Sequence, residues 1–200
     1  MNAFTVEERT RLRENLIDEG FLQLKEGGYK NVNIDNITSK CYISKGSFYS
    51  FFKSKSDFMY EMMLKKRSDA RNKILELSGK HKLDYAGLKA FIMWLLDENI
   101  NIFSYMSDEE QDMLIKMWPA SNLNNSNRNF QTISMIITLL EKPKPNPNPE
   151  LFCNYMKLIS VTQAKKKLFL SEAYDDIIID LVEKACDCIS YRKLSYERRE

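Results

Sequence analysis

The chain has little of what metal enzymes, secreted scaffolds and membrane proteins are built on. Its 200 residues include one histidine, His81, and four cysteines, Cys41, Cys153, Cys186 and Cys188. His81 has no clustered ligands beside it. Cys186 and Cys188 are two apart, so on a helix they point in different directions and make no metal corner. The cysteines read as small buried hydrophobes, and no metal or cofactor is expected. Only six glycines and five prolines are present. That excludes collagen-like and low-complexity architectures. The longest apolar run, AFIMWLL at 90–96, is far too short to span a bilayer. The opening MNAFTVEERTRLRE is charged throughout and has no signal-peptide core, so a cytoplasmic protein is expected. A phosphate-cradling glycine loop, a nucleophile–base pair and paired catalytic carboxylates are all missing. SDEEQD at 107–112 reads as a helix start whose acids complement the helix dipole. The chain is therefore read as no enzyme.

What is present is helical periodicity and one local concentration of charge. The formal net charge is +2. Residues 30–67 alone carry eight Lys/Arg against three Asp/Glu, a net of +5, and the remainder after them is close to balance. A local positive patch implies a local anionic partner. The lysine-rich runs at 65–67 and 165–167 read as solvated helix faces.

Leu16, Ile17, Gly20, Phe21 and Leu24 fall at helical spacing in a first helix from about Val6 to Glu26, which Gly27-Gly28 ends. Asn33 caps a short helix, IDNITSKC, and Ser44 caps another, KGSFYSFF. Ser54 and Asp57 form an S-x-x-D capping box ahead of a long helix to about Gly79. Residues 84–106 keep an apolar face, and further helices are expected over 108–118, 130–141, 149–170 and 173–191. SNLNNSNRN at 121–129 reads as a loop, PKPNPNP at 143–149 as an extended connector and SYERRE as a frayed tail. The fold class is all-α, with about nine helices and no strand.

Two short helices joined by a tight turn, between long ones, are the layout of a helix-turn-helix, whose second helix enters the major groove. Phe48 and Phe52, four apart, anchor that helix in the core, leaving Lys45, Ser47 and Tyr49 on other faces. Gly46 lets the backbone approach DNA. Ser44 and the first amides meet a phosphate, and Lys53 and Lys55 add charge.

From about Leu16 to Met62 the chain resembles the DNA-binding domain of TetR-type transcriptional regulators. The resemblance rests on Gly28-Tyr29, on Asn33 with Ile34 and Ile37, and on Ile43-Ser44-Lys45-Gly46-Ser47-Phe48-Tyr49. It continues through Phe52-Lys53-Ser54-Lys55 and Asp57-Phe58. It implies that Lys45, Gly46 and Ser47 face bases, that Tyr49 holds a phosphate, and that Asn33 and Lys55 brace the backbone on either side. Phe51 stands where the family often has a polar or histidine side chain that meets DNA; a ring there either touches a thymine methyl or is core. The family usually has glycine at the turn where this chain has Tyr42. Either the turn is built differently or it carries the strain of a left-handed non-glycine residue, about 1–2 kcal/mol.

The resemblance implies a helix-turn-helix domain over residues 1–53 and an effector-binding and dimerisation domain over 54–200. It implies a small-molecule cavity in 84–140, where Phe91, Trp94, Leu95, Asn99, Phe103, Met113, Met117, Trp118 and Phe130 suit a hydrophobic ligand or an ordinary core. The last two helices carry stripes of Phe152, Tyr155, Met156 and Ile159 and of Ile178, Leu181, Val182, Ala185 and Ile189. They either close a monomer core or pair with a second subunit, and the family's habit favours a homodimer. The expected partners are double-stranded DNA with a near-palindromic operator, a second copy and a small effector, with no membrane. The expected function is a repressor released from its operator by that effector. The alternative is a DNA-binding module without one, controlled by a protein partner or acting architecturally.

Overall fold

The computed structural model describes residues 5–79, 81–118 and 125–192, and the side chains of 125–131 lie outside that description. Phe130, Pro119, the first part of the expected 121–129 loop and the SYERRE tail therefore fall outside it. The described helices are α1 (Val6–Asn31), α2 (Ile34–Lys40), α3 (Lys45–Phe51), α4 (Lys55–Ser78) and α5 (Tyr85–Glu98). They continue as α6 (Asp108–Met117), α7 (Asn125–Leu139), α8 (Pro149–Ala164) and α9 (Ser171–Asp187). Among the described residues there is no strand, only isolated bridges pairing Leu83 with Leu140 and Pro143 with Ser190.

Side-chain caps set most of the helix starts. Thr5 and Glu8 form a reciprocal capping box on α1, and Ser107 and Glu110 form one on α6. Asp84 and Asn148 cap α5 and α8. Inside α1, Gly28 at φ 75 breaks the helical path, so the expected stop at Gly27-Gly28 is a kink followed by one more turn to Asn31.

The chain divides into two compact units, Met1–Asp69 with Ile100–Leu123, and Ala70–Asn99 with Asn124–Glu200. The division falls within α4. In the first unit α1 buries Leu16, Ile17 and Leu24 against Ile37, Phe48 and Phe52, with Phe58 and Met62 from α4. Phe48, Phe52 and Phe58 form a ring cluster with centroids 4.9–5.2 Å apart. Each fully buried ring contributes about 1.5–3 kcal/mol by leaving water. Gly20 is where α1 meets this cluster: a Cβ there would overlap the Phe58 ring, with Cε1 2.6 Å away. Trp118 is buried, and its indole N–H donates to the Ser56 carbonyl at 3.0 Å.

In the second unit α5, α7, α8 and α9 enclose a separate core around Leu88, Ile92, Ile159 and Val182. The PKPNPNP connector bends at Pro145-Asn146, and its last residue, expected outside any helix, opens α8. It lies along the chain after α9, with Lys144 N–H donating to the Ile189 carbonyl and Asn148 N–H to that of Cys188, each at 2.9 Å. Tyr85 on α5 donates to Asp187 on α9 at 3.0 Å. Arg192 grips the same carboxylate through two nitrogens, at 2.8 and 3.0 Å.

The structure corrects several expectations. The apolar face over 84–106 is not one helix: Asn99 turns left-handed at φ 46 to end α5, and Ile102–Tyr105 form a 3-10 turn in the first unit. Asn125–Asn129, expected as loop, open α7. Helix α8 stops at Ala164, and Lys166–Leu168 form a 3-10 turn. Lys66 is no solvated lysine. Only 14% of its side chain is exposed, and it sits over the Phe21 ring at 4.3 Å beside Asp18.

The stripes expected at a dimer interface close the second unit's own core. Phe152, Ile159, Ile178, Val182, Ala185 and Ile189 are buried within the single chain, with Tyr155, Met156 and Leu181 packed against them. Tyr155, Met156 and Leu181 remain half-buried. The exposed large apolar residues of these helices are Leu151, Leu158, Val161 and Ile179.

Candidate nucleic-acid interface

The helix-turn-helix is assembled by short-range hydrogen bonds. Asn33 Oδ1 accepts from Asp35 N–H at 2.8 Å and from Asn36 N–H at 3.2 Å. Asn33 N–H in turn donates to Gln23 Oε1 at 3.0 Å, and Gln23 Nε2 donates to Glu19. Lys40 at the end of α2 pairs with the same Glu19 at 2.6 Å. These contacts fix α2 against α1. The Asn33 side chain is thereby occupied as a cap.

Tyr42 resolves the question its position raised: its φ is 57, so the turn has the glycine-type geometry and a tyrosine bears it. Tyr42 N–H donates to the Ser39 carbonyl at 3.2 Å and Ile43 N–H to that of Thr38 at 3.0 Å. The Tyr42 side chain is 95% exposed and packs on nothing that would repay the strain.

Ser44 Oγ accepts from Ser47 N–H at 3.1 Å to start α3, and the two hydroxyls lie 2.9 Å apart. Phe48 then fixes the roll of the helix by entering the core. Lys45, Gly46 and Tyr49 are left exposed, and Ser47 is half-buried. A Cβ on Gly46 would meet only Ser44 Oγ, at an ordinary 3.7 Å. The fold itself therefore does not require glycine there.

The basic residues divide by what already holds them. Lys53 is exposed, while its backbone N–H donates to Asp57 Oδ2 at 2.9 Å and Asp57 N–H donates to Ser54 Oγ at 3.0 Å. Lys55 is turned inward: it donates to the Tyr29 carbonyl at 2.9 Å and lies 4.1 Å over the Tyr29 ring. Burial lowers its pKa. Lys45 forms an ion pair with Asp35 at 2.9 Å, and that hydrogen bond raises the lysine's pKa.

Two contributors were missed in the sequence. Arg9 stacks 4.4 Å over the Phe51 ring and donates to the Ser50 carbonyl at 2.8 Å, so it both covers that ring and caps α3. Arg13, one turn on, lies over Phe52 and pairs with Glu61. The i, i+4 spacing of Arg9 and Arg13 was the available signal, outside the window over which charge was counted.

The residues expected to line an effector cavity are split between the two units. Phe91, Trp94, Leu95 and Asn99 belong to the second unit. Phe103, Met113, Met117 and Trp118 belong to the first. Phe103 and Tyr60 pack on Trp118, while Met113 and Met117 are exposed. Asn99 serves as the left-handed cap of α5. Among the described residues no cluster of His, Cys, Asp and Glu could hold a metal, and no helix is long and apolar enough to cross a membrane.

Residues 16–62 match the family model described as bacterial regulatory proteins, tetR family. The transcriptional regulator AcuR of Cereibacter sphaeroides is 42% identical over 45 residues, 22% of this chain and 20% of AcuR. The HTH-type transcriptional repressor DhaR of Mycobacterium sp. (strain GP1) is 33% identical over 66 residues, 33% of each chain. The matched part thus spans only a fifth to a third of the length of these curated relatives. Solved structures carry the fold much further. A TetR family transcription regulator from Marinobacter aquaeolei VT8 aligns over 94% of this chain and all of its own, at 17% identity and a TM-score of 0.52. The reduced form of E. coli NemR aligns over 91% of this chain and all of its own, at 16% identity and a TM-score of 0.56. Residues 16–62 thus carry the sequence pattern of the tetR family of bacterial regulatory proteins, and the chain as a whole shares the all-α fold of these solved structures.

Proposed function

We propose that the protein is a non-enzymatic, sequence-specific regulator that reads a near-palindromic operator in double-stranded DNA as a homodimer. The single observation that carries this reading is the roll of α3. Phe48 is buried, while Lys45, Gly46 and Tyr49 are left on the open face. Lys45 and Ser47 read base edges, Tyr49 holds a phosphate through its hydroxyl, and exposed Lys53 adds charge. Lys55 and Asn33 act by bracing the motif, consistent with their intramolecular bonds.

The domain scheme that goes with this is a helix-turn-helix over 1–53 and an effector-binding and dimerisation region over 54–200. Pairing through α8 and α9 would use their outward residues, Leu151, Leu158, Val161 and Ile179. A small hydrophobic effector would relieve repression by preferring one of two arrangements of the DNA-binding heads, lowering operator affinity by its differential binding. The second reading, a DNA-binding regulator with no small-molecule effector, is favoured by Trp118 and Phe103, which are committed to the first unit's core.

The test is selection of bound sequences from random duplex DNA at near-physiological salt. Enrichment of one near-palindrome supports the dimeric regulator. Binding without enrichment, lost steeply with salt, refutes it. With the operator in hand, Tyr49→Phe should weaken binding to all sequences, and Lys45→Ala should change which bases are preferred. Compounds that bind tightly yet leave operator affinity unchanged would sink the effector reading.

A further inference from the structure

We infer that Asp35 is a specificity-determining residue of this helix-turn-helix: by holding the Lys45 ammonium it penalises contact with generic DNA and so widens the operator's advantage. The inference rests on the DNA-reading function proposed above.

The pair lies on the surface that α3 offers. Lys45 Nζ is 2.9 Å from Asp35 Oδ1 and 3.0 Å from Oδ2, with the two side chains 54% and 67% exposed. The carboxylate is not what caps α2, because Asn33 Oδ1 accepts from the Asp35 and Asn36 amides there. Nor is it what braces α2 against α1, which Gln23 and the Lys40–Glu19 pair do. So exposed an ion pair contributes little to stability. Its effect is to make the first base-facing cation conditional.

On a generic duplex Lys45 has only phosphates to gain. Reaching one means leaving the carboxylate, which then stands unpaired beside a polyanion. On the right sequence the cost is met. Lys45 donates to a guanine O6 or N7 while Asp35 keeps hold of the ammonium. Lys45 therefore rewards base contact more than phosphate contact only because Asp35 is beside it.

The test uses the full chain, the operator found by selection and a scrambled duplex of equal length, each titrated over a salt series. Asp35→Asn keeps the side chain's shape and removes its charge. Freeing one phosphate contact, with a salt slope near −0.9, strengthens nonspecific binding about eightfold at 0.1 M salt. Operator affinity should rise less, so the specificity ratio falls. In a Lys45→Gln background the same substitution removes only the carboxylate's repulsion, so both affinities should rise alike and the specificity ratio should stay unchanged, whereas a merely structural role of Asp35 would not distinguish that background from the wild type. An unchanged ratio with Lys45 present, or an equal fall of the ratio in the Lys45→Gln background, overturns the inference and leaves the DNA-reading function standing. A wild-type protein with no sequence preference overturns both.

Discussion

Replacing Tyr42 with glycine should stabilise the protein. The residue sits at φ 57 with its side chain 95% exposed. A side chain in the left-handed region costs about 1–2 kcal/mol. Almost no buried area is lost on removing it. Glycine returns about 0.4–1 kcal/mol of that relief through the greater freedom of the unfolded chain. The net gain is about 0.5–1 kcal/mol, which at a urea m-value of about 2 kcal/mol per M moves the midpoint up by roughly 0.3–0.5 M. Tyr42→Ala is the control, because it removes the ring but keeps the Cβ that creates the strain. Urea titrations followed by circular dichroism, with m unchanged across the three proteins, make the comparison. An alanine variant as stable as the glycine variant would refute the reasoning, since the turn would then not be strained.

Three further outcomes are expected. Gly20→Ala should lower the unfolding free energy, read from urea titration, by about 1–3 kcal/mol through overpacking against Phe58, although alanine is the better helix former; a neutral result would mean the ring moves freely. Gly46→Ala should fold at least as stably as wild type and yet bind the operator less well, measured by titration, because only a DNA surface competes for that space. Burial pushes the Cys186 thiol up to about 12 from 9.0. Its raised pKa leaves its stabilising contribution intact below pH 9 and removes it progressively as pH rises toward 12. Stability measured from pH 8 to 10.5 should therefore fall less steeply in Cys186→Ala than in wild type.

The features that were legible in the sequence are those where a side chain acts on its own backbone. Asn33, Ser44 and the Ser54–Asp57 pair each bond to amides two or three residues away, so their spacing alone announced the helix starts. On α3 the inward Phe48 turns the adjacent Tyr49 outward by helical period, whereas Lys45, three residues earlier, is exposed at the first position of the helix. The rest depended on contacts distant in sequence. Periodicity said that Ile178 and Val182 are buried; it could not say whether by the same chain or by another. Aromatic and methionine content in 84–118 was real, but composition does not assign Phe91 and Trp118 to different cores. Asn99 ends α5 without glycine or proline because asparagine tolerates the left-handed region, so the break gave no warning. Arg9 looked like one more surface charge until α1 placed it over Phe51.

The bond from the Trp118 indole to the Ser56 carbonyl gives the protein an optical reporter of its own. The chain has two tryptophans. The other, Trp94, belongs to the second unit, so Trp94→Phe leaves a single emitter in the first. That emitter is tied to the first turn of α4, one residue from Lys55 and close in sequence to the recognition helix. Its emission colour therefore tracks the root of the DNA-reading head without a dye. A red shift on adding operator would mean that the turn opens when DNA is bound, and a constant spectrum would mean that the head binds as a rigid piece.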